Sequence, residues 1–144
     1  MALSGNATYT TQSNEVINVP VKSGATIYNG ALLMDNSGAT PYDGTIGAIL
    51  LGWHFGDVND DASSSPIKTA KIARGGFRIL GLAVTGLGGT IADVGLPVYA
   101  TDDGTYTITN PTTHTVRVGT ISRFVSASVA DVAMVADIFG TAGV

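Results

Sequence analysis

The sequence predicts an all-β protein: one small β-barrel, β-sandwich or β-tulip-like domain of about nine short strands, preceded by an extended arm. Three observations lead there. Apolar residues recur at every second position in short runs, turn residues punctuate those runs, and no stretch holds a helical period without a competing strand reading. The domain organisation is an arm over residues 1–14 and a body over 15–144, within the size of a single core.

The arm is Ser, Thr, Asn and Gly with only Leu3 and Tyr9 as sizeable anchors. From Glu15 the pattern changes, because Ile17, Val19 and Val21 alternate with Asn18 and Pro20. Pro20 lacks a ladder donor, which places this strand at a sheet edge or beside a bulge. Ala31 to Asp35 is the next strand, closed by Asn36-Ser37-Gly38. Thr45 to Leu51 is nearly all apolar and reads as a strand covered on both faces. An acidic, Ser-rich loop from Asp57 to Pro66 precedes strands at Ile67 to Arg74 and Phe77 to Val84, with Gly75-Gly76 as the turn or bulge between them. A hairpin follows: Leu96, Val98 and Ala100 face inward on one arm and Tyr106 and Ile108 on the other, with Gly104 expected to supply a positive φ in the Asp102-Asp103-Gly104 turn. Thr115 to Ile121 and Asp131 to Ile138 complete the set. Ile121, Phe124, Val125, Val129 and Val132 also satisfy helical spacing, but Ser126-Ala127-Ser128 is loop-like and its flanks are β-branched, which favours strand-loop-strand.

There is an internal echo. Gly30 to Gly38 and Gly95 to Gly104 share an order of Gly, apolar strand, Asp or Asn turn and Gly. Two readings fit it: hairpins alike only because hairpins are alike, or a pair packed about a pseudo-twofold axis in a small barrel.

Composition removes several function classes. Charged residues are 12% of the chain, about half the share of an ordinary soluble domain. With seven Lys and Arg and a net charge of −4, the chain lacks the dense basic stripe that nucleic-acid binding requires. The absence of Cys excludes disulfides, thiolate metal sites and Cys nucleophiles. No basic n-region or apolar h-region opens the chain, so the reading is a protein kept in the cytosol of its producer, and no apolar run approaches a membrane span.

Motifs that resemble chemistry are incomplete. Asp57, Asn59 and Asp61 sit like the first ligands of a calcium loop, but Ala62 stands where Gly is wanted and Lys68 where a bidentate Glu would close the shell. Gly86-Leu-Gly88-Gly89 begins like a dinucleotide fingerprint, yet Ile91 occupies the third glycine position, so the run reads as a turn. His54 and His114 are the only imidazoles and Glu15 the only glutamate. The expectation is no enzyme, no cofactor and no metal. Lys68, Lys71, Arg74 and Arg78 are the one basic concentration, and on a strand Lys68, Arg74 and Arg78 would share a face.

In chain order the residues are a polar arm, Gly-Ala-Leu-Leu (Gly30 to Leu33), Gly-Ala-Ile-Leu (Gly47 to Leu50), Asp-Val-Gly-x-Pro-Val-Tyr-Ala-x-Asp-Asp-Gly-Thr-Tyr-Thr (Asp93 to Thr107), Val-Gly-Thr-Ile (Val118 to Ile121) and Val-Ala-Met-Val (Val132 to Val135). Over Glu15 to Ile138 this resembles the capsid decoration, or cement, proteins of tailed bacteriophages, with Asp93 to Thr107 the distinctive part. The resemblance implies an all-β homotrimer, made in the host bacterium's cytoplasm, that sits on the outside of the head and clamps neighbouring major capsid proteins. Candidate contacts with the capsid or between subunits are then Ala7, Thr8, Tyr9, Thr10 and Thr11, which suit strand addition to a sheet edge, and Trp53 and Phe55, aromatic anchors of an interface unless they belong to the core. A rival reading is a carbohydrate-binding module of a virion with Trp53, Tyr28 or Tyr42 as stacking platforms. Another is a small hydrolase built on His54 or His114 with an Asp.

Overall fold

A computed structural model describes residues 2–7, 10–12, 16–55, 59–60, 69–73, 76–111 and 116–134. Among these are thirteen strands: β1 (Thr10–Gln12), β2 (Val16–Pro20), β3 (Thr26–Ile27), β4 (Leu32–Asp35), β5 (Ala39–Pro41), β6 (Ile49–His54), β7 (Asn59–Asp60), β8 (Thr69–Ala73), β9 (Arg78–Ala83), β10 (Pro97–Ala100), β11 (Tyr106–Thr107), β12 (Arg117–Phe124) and β13 (Val129–Met134). One 3-10 turn, Ile91–Asp93, is the sole helical element described. The protein is all-β. Thirteen strands replace the expected nine because several are only two or three residues long, below what periodicity resolves. The segment with competing helical spacing is strand-loop-strand: β12, a turn over 125–128, then β13.

The strands form two main antiparallel sheets, ordered β2-β8-β6-β4-β5 and β1-β9-β13-β12-β10-β11, with β3 and β7 as a separate pair. Without β1, the second order is the first with β9, β13, β12, β10 and β11 in place of β2, β8, β6, β4 and β5. Each five-strand order curls until β2 and β5 in the first unit, and β9 and β11 in the second, come together through one parallel bridge, Val21 to Ala39 and Thr85 to Thr107. The parallel sense is forced, because a ring of five strands cannot alternate direction all the way round.

Residue detail repeats as well. Leu33 pairs with Gly52, and the ladder then skips Leu51; Val98 pairs with Gly119, and the ladder skips Val118. A Cβ on Gly52 would lie 2.6 Å from the Ala73 carbonyl oxygen, and one on Gly119 would lie 2.6 Å from that of Ala133. Gly30 and Gly95, at φ 90° and 91°, donate their N–H to the carbonyls of His54 and Ile121, whose own N–H groups return to Ala31 and Leu96. The echo is therefore a duplicated fold: Thr69-Ala-Lys-Ile-Ala73 aligns with Val129-Ala-Asp-Val-Ala133. The two echoing hairpins are the closing hairpins of separate sheets, one in each unit.

The units pack by unlike faces. Leu32, Met34, Leu50 and Trp53, on the outside of the first sheet, join one core with Phe77, Ala100, Tyr106 and Val116 of the second unit. Trp53 Nε1 donates to Tyr106 Oη at 2.9 Å, and its ring meets Phe77 edge-on at 5.2 Å. The Leu32 N–H reaches the Asp103 carbonyl at 3.0 Å. A smaller core, with Val21, Ile27, Leu33, Ala70 and Ile72, fills the first unit.

Several expectations change. Ile49–His54 is the strand where Thr45 to Leu51 was expected; Gly44 and Gly47 have φ of 87° and 82°, and the Asp43 carboxylate accepts from the Thr45 N–H, so 43–48 turns and leaves Ile46 exposed. Gly104 is not among the positive-φ residues; its missing Cβ makes room for Leu3, whose side chain would stand 2.5 Å from that atom. Pro20 lies on an edge strand as expected. The described part of the arm lies on its own body: the Leu3 N–H donates to Asp103 Oδ1, Asn29 bonds with Asn6 and Ala7, and β1 adds to the edge of β9 with Thr10 opposite Leu80 and Thr11 opposite Ile79. Strand addition happens within the chain, since β9 presents the nearest unpaired edge.

Candidate functional site

Ionisable groups in the interior hold the fold in place. His54 is buried, with Nδ1 2.8 Å from the Lys71 carbonyl oxygen. The Gly88-Gly89 run forms an anion nest, and the anion is the chain's own: Asp93 accepts from the backbone N–H of Gly88, Gly89 and Thr90 at 3.0, 2.7 and 3.2 Å. Those bonds, the one from Gly88 first, hold its pKa below the ordinary 3.8. Buried Asp131 takes the Gly81 N–H and an ion pair from Arg123 at 2.7 Å. Burial pushes the Asp103 carboxyl up, against the opposing Leu3 N–H bond. Tyr42 is also raised, by burial first and then by Asp43 and Asp102.

Among the described residues no group of three or more His, Asp or Glu side chains is placed to hold a metal ion. A hollow of about 480 Å³ lies between Thr85, Gly86, Gly104, Thr105, Ala127 and Ser128, and its walls carry no carboxylate, imidazole or amine. No described helix is long and apolar enough to cross a membrane.

The candidate residues separate. Trp53 has no exposed surface and belongs to the contact between the units; Phe55 is partly buried, its ring edge-on to Phe77 at 5.6 Å. Trp53 and Tyr42 are buried, so neither offers a stacking platform, and Tyr28 is half-buried. Ala7 is tied to Asn29, Thr10 and Thr11 are paired in β1, and Thr8 and Tyr9 lie outside the described residues, as do His114, Lys68 and Arg74. Lys71 and Arg78 are exposed on strands of different sheets, and the face expected of Lys68, Arg74 and Arg78 rests on two residues outside the described ones.

Exposed apolar side chains gather elsewhere. Ile91 and Val94, on and beside the 3-10 turn, are 73% and 41% exposed, and Phe124 and Val125, at the end of β12, 38% and 49%. The turn packs against β12, and the Gly95 N–H bonds the Ile121 carbonyl. Gly89 sits so close to Ala127 that a Cβ there would be 2.8 Å from the Ala127 nitrogen. These contacts fix the four side chains at one end of the second unit. Exposed apolar side chains held on adjoining segments make a candidate interaction surface. Sequence reading missed it because Ile91 fell in a Gly-rich turn, Val94 at the head of the hairpin segment, and Phe124 and Val125 in the segment whose spacing also fitted a helix.

No family model matches the chain, and no curated protein matches it.

Proposed function

We propose that this chain is a structural virion protein, a homotrimeric decoration protein that attaches to the outer surface of a tailed-phage head and braces neighbouring major capsid proteins. The observation that carries the reading is the set of exposed apolar side chains Ile91, Val94, Phe124 and Val125 on adjoining segments, on a body whose buried imidazole and carboxylate groups, among the described residues, are bonded to its own backbone. The resemblance in Asp93 to Thr107 lies beside that patch and supports the same reading. Attachment through several copies multiplies modest contacts into a firm hold, and a face with little charge binds with small dependence on salt.

The test is co-sedimentation with empty heads of the phage that carries the chain. Wild-type protein is expected to pellet with heads, and Ile91→Asp with Phe124→Asp to reduce bound protein at least tenfold while the fold, read by circular dichroism, is unchanged. Wild-type protein that stays in the supernatant at saturating heads overturns the reading.

A further inference from the structure

The duplicated fold leaves one half of an interface unused at each end of the molecule. Inside the chain, the outer sheet face of the first unit (Leu32, Met34, Leu50, Trp53) is covered by the end of the second unit that carries Ala100 and Val116. The ladders align these positions with the other unit residue by residue. Leu32, Met34, Leu50 and Trp53 correspond to Pro97, Tyr99, Arg117 and Thr120, all at least partly exposed; Ala100 and Val116 correspond to Asp35 and Ile49. Val116 is 4% exposed and Ile49 54%, with Ile46 beside it at 64%. The first unit thus shows an uncovered end, and the second an uncovered face, of the kind that already fit each other within the chain.

We infer that a second copy of this chain docks head to tail here: the end with Asp35, Asp43, Ile46 and Ile49 seats on the face with Pro97, Tyr99, Arg117 and Thr120 of the next copy. Charge agrees with that pairing. The end is acidic around a hollow of about 310 Å³ lined by Asp35, Asp43, Ile46 and Ile49, and the face carries the exposed Arg117, held by its bond to Thr120 Oγ1 at 3.0 Å. The face is also more polar than its buried counterpart, with Thr in place of Trp and Arg in place of Leu, as suits a surface that folds exposed to water before it associates. Pro97 has no N–H to match the one Leu32 gives to Asp103, so the seam between copies leaves no orphan donor there. Contacts between unlike faces close into a ring where the rotation allows. Copy number three rests on the proposed function; the contact itself rests on the duplicated fold.

The experiment is native mass measurement of isolated protein at about 100 µM, well above the dissociation constant of a modest interface, without phage heads. Wild type is expected as a discrete multiple of the 14.6 kDa chain. Ile49→Asp, which spoils the end, and Arg117→Glu, which spoils the face, are each expected as single chains, because an added carboxylate against the facing acidic or apolar surface weakens the contact by about a hundredfold or more and so carries its dissociation constant past that concentration. Mixed in equal amounts, they are expected to form a two-copy complex and nothing larger, since each retains the surface the other lacks. A wild type that stays a single chain, variants that assemble like wild type, or a mixture that stays unpaired each overturns the inference. Head attachment failing while this pattern holds would remove the proposed function and leave the docking intact.

Discussion

Gly52 and Gly119 show how one atom shapes a sheet. Each stands beside a skipped residue in its ladder, 2.6 Å short of a neighbouring carbonyl oxygen if it carried a Cβ. Gly52 also has φ 131°, while Gly119 is constrained by space alone. Gly52→Ala and Gly119→Ala are each expected to lower unfolding free energy by about 2–4 kcal/mol, measured by urea denaturation. A change under about 0.5 kcal/mol at either site would mean that the close approach is not needed. Neither glycine's role was legible in the sequence. A strand glycine signals a bulge or a close approach, but the partner strand that makes it necessary lies some 14 to 21 residues away in the chain. The Gly88-Gly89 run was legible as a turn; that its N–H groups converge on Asp93 became evident only with the turn's geometry.

At the scale of elements, alternation and turn residues identified β2, β4, β9, β10, β12 and β13 to within a few residues; β4 is buried on both faces, with Leu32 and Met34 in the core between the units and Leu33 in the first unit's own core. The same reading misplaced the start of β6, where two glycines and the Asp43 carboxylate turn an apolar run outward. The arm illustrates a different limit. Its composition announced an extended segment, but strand addition to β9 depends on which edge is free, and that is a property of the folded sheet. The arm's anchor also sets a pH dependence. Burial raises the Asp103 carboxyl above 3.8, so the folded state holds its proton more tightly than the unfolded state. That contribution is present below pH 3.8 and is lost as pH rises through the raised value. Asp103→Asn, which keeps an acceptor for the Leu3 N–H, is expected to be more stable than wild type at pH 7 and to match it below pH 3.8. Thermal unfolding across that range reads the difference, and a gap of equal size at both ends would sink the burial account. Asp93 works in the opposite sense: held below 3.8, it contributes above that pH and its contribution is lost as pH falls through the lowered value.

For the whole molecule, two copies of one topology became one body by packing unlike faces. Trp53 and Thr120 occupy the same place in the repeat, one fully buried and one partly exposed. Trp53→Ala is expected to cost about 3–5 kcal/mol, and Thr120→Ala to stay within about 0.5 kcal/mol. Equal costs, measured by denaturant unfolding, would mean that the second-unit face is already covered in the isolated chain. The sequence echo between the hairpins was the visible trace of the duplication. The exposed patch around Ile91 and the open end around Ile49 left no such trace, because an isoleucine looks the same in sequence whether its neighbours cover it or not.

By itself, the sequence determined the all-β class, the main strands, the edge position of Pro20 and the hairpin of Asp93 to Thr107. Those follow from local physics: side-chain alternation, turn chemistry and the missing proline N–H. Tertiary structure alone decided which strands pair, that the order repeats, that Trp53 is interior, and which apolar side chains remain open to a partner. Such outcomes depend on contacts between residues far apart in the chain, and a local pattern carries no record of them.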